Sequence, residues 1–149
     1  MTRTLTAAVS ALLLSTAVAG AFPSRTTAVD DPAYALAMGL IAKQRYADAV
    51  PLLKQVVQRN PQDADGYNEL GFTARKLGDR ATALDYYRIA LELDPHHLGA
   101  TEYLGELYAE TGDLAHARAQ LARVAALCHG SCEAYTDLQT AIARHQTAG

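Results

Sequence analysis

Residues 64–97 read ADGYNELGFTARKLGDRATALDYYRIALELDPHH. The stretch divides into two short amphipathic helices, joined by a tight turn at Leu77-Gly78-Asp79 and closed by Asp94-Pro95. Shifted by 34 residues, the pattern returns on both sides. Leu36, Leu70, Leu104 and Leu138 share one column, and Ala37, Gly71 and Gly105 share the next. Leu40, Ala74, Tyr108 and Ile142 form another, as do Ala49, Ala83 and Ala117. Leu53, Tyr87 and Leu121, and Val56, Ala90 and Val124, complete the apolar set. A small residue such as Gly71 or Ala83 lets two helix backbones approach, while larger apolar residues three and four positions away pack on the same face. Gly78 and Gly112 stand where the chain reverses, a turn that favours positive φ. Pro61 and Pro95 stop the second helix of their copies, because proline lacks the amide donor and clashes with the preceding turn. A fixed period built this way signals a helical solenoid.

Tyr67, Leu70-Gly71, Ala74, Gly78-Asp79, Ala83, Tyr87, Ala90 and Pro95 together resemble the tetratricopeptide repeat. The third copy departs from the pattern at its end, with Cys128-His129 in place of an acid–proline pair. The first departs at its turn, where Gln44-Arg45 replaces Gly-Asp. It also carries Pro51 early in its second helix, expected to be tolerated because it falls near the first turn. The resemblance covers about residues 30–145 and implies an all-α fold, a right-handed α-α superhelix of antiparallel helix pairs. Its repeats are 30–63, 64–97 and 98–131, followed by a capping helix within 132–145 and a flexible tail, 146–149. A solenoid needs such a cap, since its last repeat would otherwise expose an apolar face. Helices are expected at about 32–43, 47–59, 65–77, 81–93, 98–111, 114–127 and 133–145, with Asp30 or Asp31 capping the first. Tyr135, Leu138 and Ile142 of the last are expected to face the preceding pair.

Residues 1–21, MTRTLTAAVSALLLSTAVAGA, stand apart. Arg3 gives a positive start, an apolar run follows, and Ala19-Gly20-Ala21 fits a small-residue cleavage site. The run is short and alanine-rich for a membrane span, so an export signal cleaved after Ala21 is expected, with residues 22–29 as linker. The chain carries 13 Lys and Arg against 16 Asp and Glu, a net charge of −3 that becomes one unit more negative when Arg3 leaves. That balance argues against a nucleic-acid partner and against an anionic membrane surface. A periplasmic or secreted protein with no membrane insertion after cleavage is expected.

In the family this chain resembles, the first helix of each pair lines a concave groove that binds peptides. Carried over by column, the resemblance points to Tyr34, Met38 and Ile41 in the first copy. Asn68, Phe72, Arg75 and Lys76 follow in the second, and Glu102, Glu106 and Glu110 in the third. Such a surface runs from apolar, through a basic and aromatic step, to an acidic end. Phe72 flanked by Arg75 and Lys76 suits a partner's carboxylate or backbone, and the three glutamates suit a basic segment. Solvated helix faces carry the same residue types.

Cys128 and Cys132 lie four residues apart in Leu-Cys-His-Gly-Ser-Cys. In an oxidising compartment a disulfide is expected, with Gly130 supplying backbone freedom at the corner. So short a loop adds only about 2 kcal/mol on the loop-entropy model, and its main role would be to pin the capping helix. A redox pair or a metal or copper site through Cys128, His129 and Cys132 is the sharper alternative. No nucleophilic triad and no glycine-rich phosphate loop is recognisable, so neither catalysis nor a cofactor is expected. The expected function is a non-enzymatic protein-interaction scaffold of the cell envelope that binds a partner segment in its groove. A periplasmic thiol or copper carrier and a self-associating structural module are the alternatives.

Overall fold

The computed structural model describes residues 30–146. The expected leader, the linker over 22–29 and tail residues 147–149 lie outside them. Seven helices occupy the described residues: α1 Pro32–Ala42, α2 Tyr46–Arg59, α3 Ala64–Lys76, α4 Arg80–Leu93, α5 Leu98–Glu110, α6 Leu114–Leu127 and α7 Glu133–Gln146. Gln146 thus closes the last helix instead of opening the tail. No strand occurs among the described residues. α1, α3 and α5 each pack against the helix that follows, and the pairs α1/α2, α3/α4 and α5/α6 stack in chain order with α7 against both α5 and α6.

The chain starts most of its helices with a side chain that accepts an orphan amide. Asp31, Asp63, Asp79 and Asp113 bond the amides of Ala33, Gly66, Thr82 and His116 respectively. In the column of Asp63 the next copy has His97, whose Nδ1 accepts from the Ala100 amide at 3.0 Å. That role leaves the proton on Nε2, which lies 3.0 Å from Asp65 Oδ1 and ties the start of α5 to the start of α3. His97 is therefore a half-buried cap and strut, not only a residue of an exposed turn.

Apolar side chains gather at each pair. Ala37, Ala49, Leu53 and Leu70 form one cluster, Ala74, Ala83, Tyr87, Leu104 and Leu107 the second, and Ala117, Val124, Ala134, Leu138 and Ile142 lie in the third. Gly71 differs from expectation in what it admits. A Cβ there would come within 2.6 Å of the Tyr87 ring, so this glycine makes room for a side chain of its own pair and not for a neighbouring backbone. Gly105 makes room instead for a side chain of the following helix, Leu138 of α7, whose Cδ2 would meet such a Cβ at 2.6 Å.

The first pair is the least well specified. At its turn Gln44 adopts φ 57°, where the later copies place Gly78 at 85° and Gly112 at 82°. A side chain in the left-handed region costs about 1–2 kcal/mol. Arg45, in the column of Asp79 and Asp113, makes no capping bond and instead pairs with Asp48 at 2.7 Å. Pro51 is the sixth residue of α2, beyond the first turn where proline is readily tolerated. The helix continues past it without a donor for the Ala47 carbonyl. Substituting Q44G together with R45D restores the pattern of the later turns. The pair should raise stability by about 1–2 kcal/mol in urea, since the exposed ion pair lost with Arg45 is worth less than a cap. An unchanged midpoint would show that the first turn is not where stability is missing.

Candidate concave binding face

α3 packs beside α5 and α5 beside α7, and the expected groove residues fall on α1, α3 and α5. In the first copy, Tyr34 and Ile41 pack partly against the cluster of Ala37 and Leu53, and Met38 is half-buried. Burial, then the charges of Glu69 and Asp65, push the Tyr34 hydroxyl well above its ordinary range. That places Tyr34 within the field of α3.

On α3, Phe72 is half-buried, Lys76 exposed and Asn68 buried. The Asn68 Nδ2 donates to Glu69 Oε1 at 3.1 Å, while Oδ1 has no partner. Arg75 departs most from a basic docking step. Its side chain is only 5% exposed, and Nη1 donates to Glu110 Oε1 at 2.6 Å while Nη2 lies 2.5 Å from Glu106 Oε2. The guanidinium sits 5.8 Å from the Phe72 ring centre and 5.7 Å from that of Tyr103, and the two rings are 5.2 Å apart. Burial works against its charge, but Tyr87, Glu106 and Glu110 outweigh it and hold the group above its usual value. Arg75 therefore bridges α3 to α5, and two of the three expected acidic residues are engaged in holding it. The cation left on this face of α3 is Lys76, with Nζ 5.1 Å from the Phe72 ring centre.

Glu102 is not part of that bridge. Burial, then the charges of Glu106 and Asp137, push its carboxyl up to about 7 against a slight opposing pull from Arg75. Burial also takes Glu69 up to about 7, with the Asn68 bond working the other way. Tyr103 is raised to about 12, again by burial and then by Glu102 and Glu69. These mutual effects place Glu69, Glu102, Tyr103 and Asp137 along one surface. Between α5 and α7 the surface opens into a cleft of about 400 Å³ lined by Leu98, Glu102, Tyr103, Cys132, Glu133 and Asp137. Sequence reasoning misses Glu69, Tyr103 and Asp137, although they are spaced by 34 and form the column next to Tyr34, Asn68 and Glu102.

Carboxyls raised in this way give a stability signature. The folded chain keeps the protons of Glu69 and Glu102 up to about pH 7, whereas the unfolded chain releases them near 4.5. Their contribution is therefore full below the unfolded value and is lost as pH rises through about 7. The melting temperature should be higher near pH 5 than near pH 8, and the double variant Glu69→Gln, Glu102→Gln should flatten that difference. Equal slopes for variant and parent would assign the pH dependence to other groups.

The Cys128 and Cys132 sulfurs are paired across the corner between α6 and α7, with Cα atoms 6.1 Å apart. His129 there takes φ 54° and Gly130 φ 134°. Pairing leaves neither thiol available as a ligand, and among the described residues no three His, Cys, Asp or Glu side chains converge as a metal site. No helix among the described residues is long and apolar enough to cross a membrane.

A tetratricopeptide repeat family model matches residues 34–72 and 69–131. Cellulose synthase operon protein C of Escherichia coli K12 is 42% identical over 69 residues, which is 44% of this chain and 6% of that protein. The chain thus spans a small part of the length of that relative. Among solved structures, the Yersinia enterocolitica type III secretion chaperone SycD in complex with a peptide of the translocator YopD superposes with a TM-score of 0.71 at 17% identity. That match covers 83% of this chain and 96% of the chaperone. The TPR2B domain of yeast Sti1, in complex with pHsp70, gives a TM-score of 0.70 at 19% identity, over 78% and 95% of the two chains. At these identities the likeness is one of fold.

Proposed function

Because the chain belongs to the tetratricopeptide repeat family, we propose that it is a non-enzymatic scaffold whose concave face holds a segment of another protein. The observation that carries this reading is the Phe72–Tyr103 ring pair, which joins α3 to α5 with both rings partly exposed and ring centres 5.2 Å apart. Lys76, exposed at the end of the same helix, lies 5.1 Å from the Phe72 ring centre. Together they offer a flat apolar anchor with a cation beside it. The complexes of SycD with a YopD peptide and of Sti1 with pHsp70 support the reading by likeness of fold. The envelope as the place of action rests on residues 1–21 read as an export leader.

The test is capture from a cell-envelope extract with the chain as bait, against a bait carrying Asn68→Ala and Phe72→Ala. Arg75 is left intact because it holds α3 to α5. A partner retained by the first bait and lost from the second, with equal helicity by circular dichroism, supports the groove. Equal capture by both moves binding to another face.

The thiol and copper alternative finds its two sulfurs bonded to each other. Self-association keeps one supporting observation: Leu36 on α1, the first of the described helices, is 63% exposed. A mass independent of concentration would remove it.

A further inference from the structure

We infer that His97 is an acid-sensitive joint: proton uptake by its ring releases the start of α5 while the tie to α3 holds. The joint is a property of the fold and does not depend on the scaffold reading.

The neutral ring makes two bonds at once. Nδ1 accepts from the Ala100 amide at 3.0 Å, and Nε2 donates to Asp65 Oδ1 at 3.0 Å. Both bonds form only when Nδ1 is bare and Nε2 carries the proton. An imidazolium has a proton on each nitrogen, so Nδ1 then turns a donor toward the Ala100 N–H. The positive end of the helix dipole adds to that repulsion. At Nε2 the change is favourable, because the bond to Asp65 becomes charge-assisted. Protonation therefore exchanges a cap for a stronger strut.

The other side-chain caps among the described helices, Asp31, Asp63, Asp79 and Asp113, are carboxylates. Carboxylates stay acceptors in mild acid, whereas imidazoles change charge between about pH 5 and 8. Bonds from the Thr82 side chain and amide hold Asp79 below the usual carboxylate range. The start of α5 is thus built to yield where its counterparts hold. Release stays confined to the first turn, since the Thr101 amide and hydroxyl both bond the His97 carbonyl, at 3.1 and 2.9 Å. That turn carries Leu98, which lines the α5–α7 cleft, and Gly99, which faces the Asn68 side chain of α3.

Charged groups surround the joint. Asp65 meets the ring from α3, with Glu69 one turn further along that helix. Asp94 and His96 belong to its own corner, where the Asp94 carbonyl accepts from the His97 amide. Arg123 of α6 donates to the Pro95 carbonyl at 3.1 Å, and Glu133 of α7 shares the cleft with Leu98. Glu69 and Glu102 act on global stability in the opposite direction, so a local readout is required.

The test is nuclear magnetic resonance on the whole chain labelled with nitrogen-15, at about pH 7.5 and about pH 5.5, on either side of imidazole titration. Ring nitrogen shifts of His97 should show the proton on Nε2 at the higher pH and on both nitrogens at the lower. Protection of the Ala100 amide against exchange, corrected for the intrinsic rate, should fall about tenfold, the scale of one lost cap. Protection of the Thr82 amide, capped by Asp79, should hold. His97→Asn keeps a good cap and removes the titration, so its Ala100 protection should not change with pH. A proton on Nδ1 at the higher pH overturns the inference, as does a ring still neutral at the lower. A charged ring with Ala100 protection unchanged overturns it too. An equal fall in His97→Asn would assign the effect to other groups and overturn it as well.

Discussion

Replacing Arg75 with alanine is expected to destabilise the protein by about 3–5 kcal/mol, the cost of breaking a buried ion pair by removing one partner. The guanidinium is nearly enclosed, and its removal leaves Glu106 and Glu110 facing each other with no cation between them. It also empties the space beside Phe72 and Tyr103. The loss should be smaller at low pH, where the two orphaned carboxyls can take up protons. Changing all three charged residues together, by R75M, E106L and E110L, should restore much of the loss, because a dry apolar triad avoids desolvation. Urea titrations of the single and triple variants at neutral and acid pH measure both effects. A single variant within about 1 kcal/mol of the parent would mean that the triad behaves as a solvated surface pair.

Arg75 also shows where the sequence stops being legible. The helices follow from columns spaced by 34, and their ends fall within about a residue of expectation because the caps at Asp63, Asp79 and Asp113 and the breaks at Pro61 and Pro95 are local chemistry. Arg75 reaches Glu106 and Glu110, 31 and 35 residues away, and so crosses between columns. Spacing within one helix reports only which residues share a face. It does not report which long side chain folds over onto the next helix. For that reason the sequence alone presents Arg75 as a docking cation on an exposed face, whereas the fold uses it as a strut. The column of Glu69, Tyr103 and Asp137 is readable in principle. Its members differ in type, so nothing about their identity marks it as a single surface.

The second large effect concerns the cap. Leu138 is fully buried and fills the notch left by Gly105. Leu138→Ala should cost about 3 kcal/mol, within the range for a buried leucine. It should also loosen the α5–α7 cleft, since α7 supplies one wall. Gly105→Ala alone should destabilise by about 1–3 kcal/mol, because its Cβ would press on Leu138 and Gln120. In the Leu138→Ala background that loss should shrink, with only the 3.0 Å approach to the Gln120 Cβ left. The added methyl then enters the vacated volume, and alanine is about 1 kcal/mol better than glycine inside a helix. A double-mutant cycle reads this directly. Simple additivity of the two losses would show that α7 shifts to fill the gap by itself.

The uneven quality of the turns bears on the order in which the molecule opens. A stack of repeats behaves as a chain of nearest-neighbour units, each with its own stability and a coupling to the next. The first unit has Gln44 in the left-handed region, no side-chain cap at Arg45 and a proline in the body of α2. The last is clasped by a disulfide and by a helix that rests on both members of the pair before it. Opening should therefore begin at α1 and α2 and run toward the C-terminus. Amide hydrogens of α2 should exchange first and those of α5 and α7 close to the global rate. The cleft between α5 and α7 then belongs to the part of the chain that stays formed longest and outlasts the fraying of the opposite end.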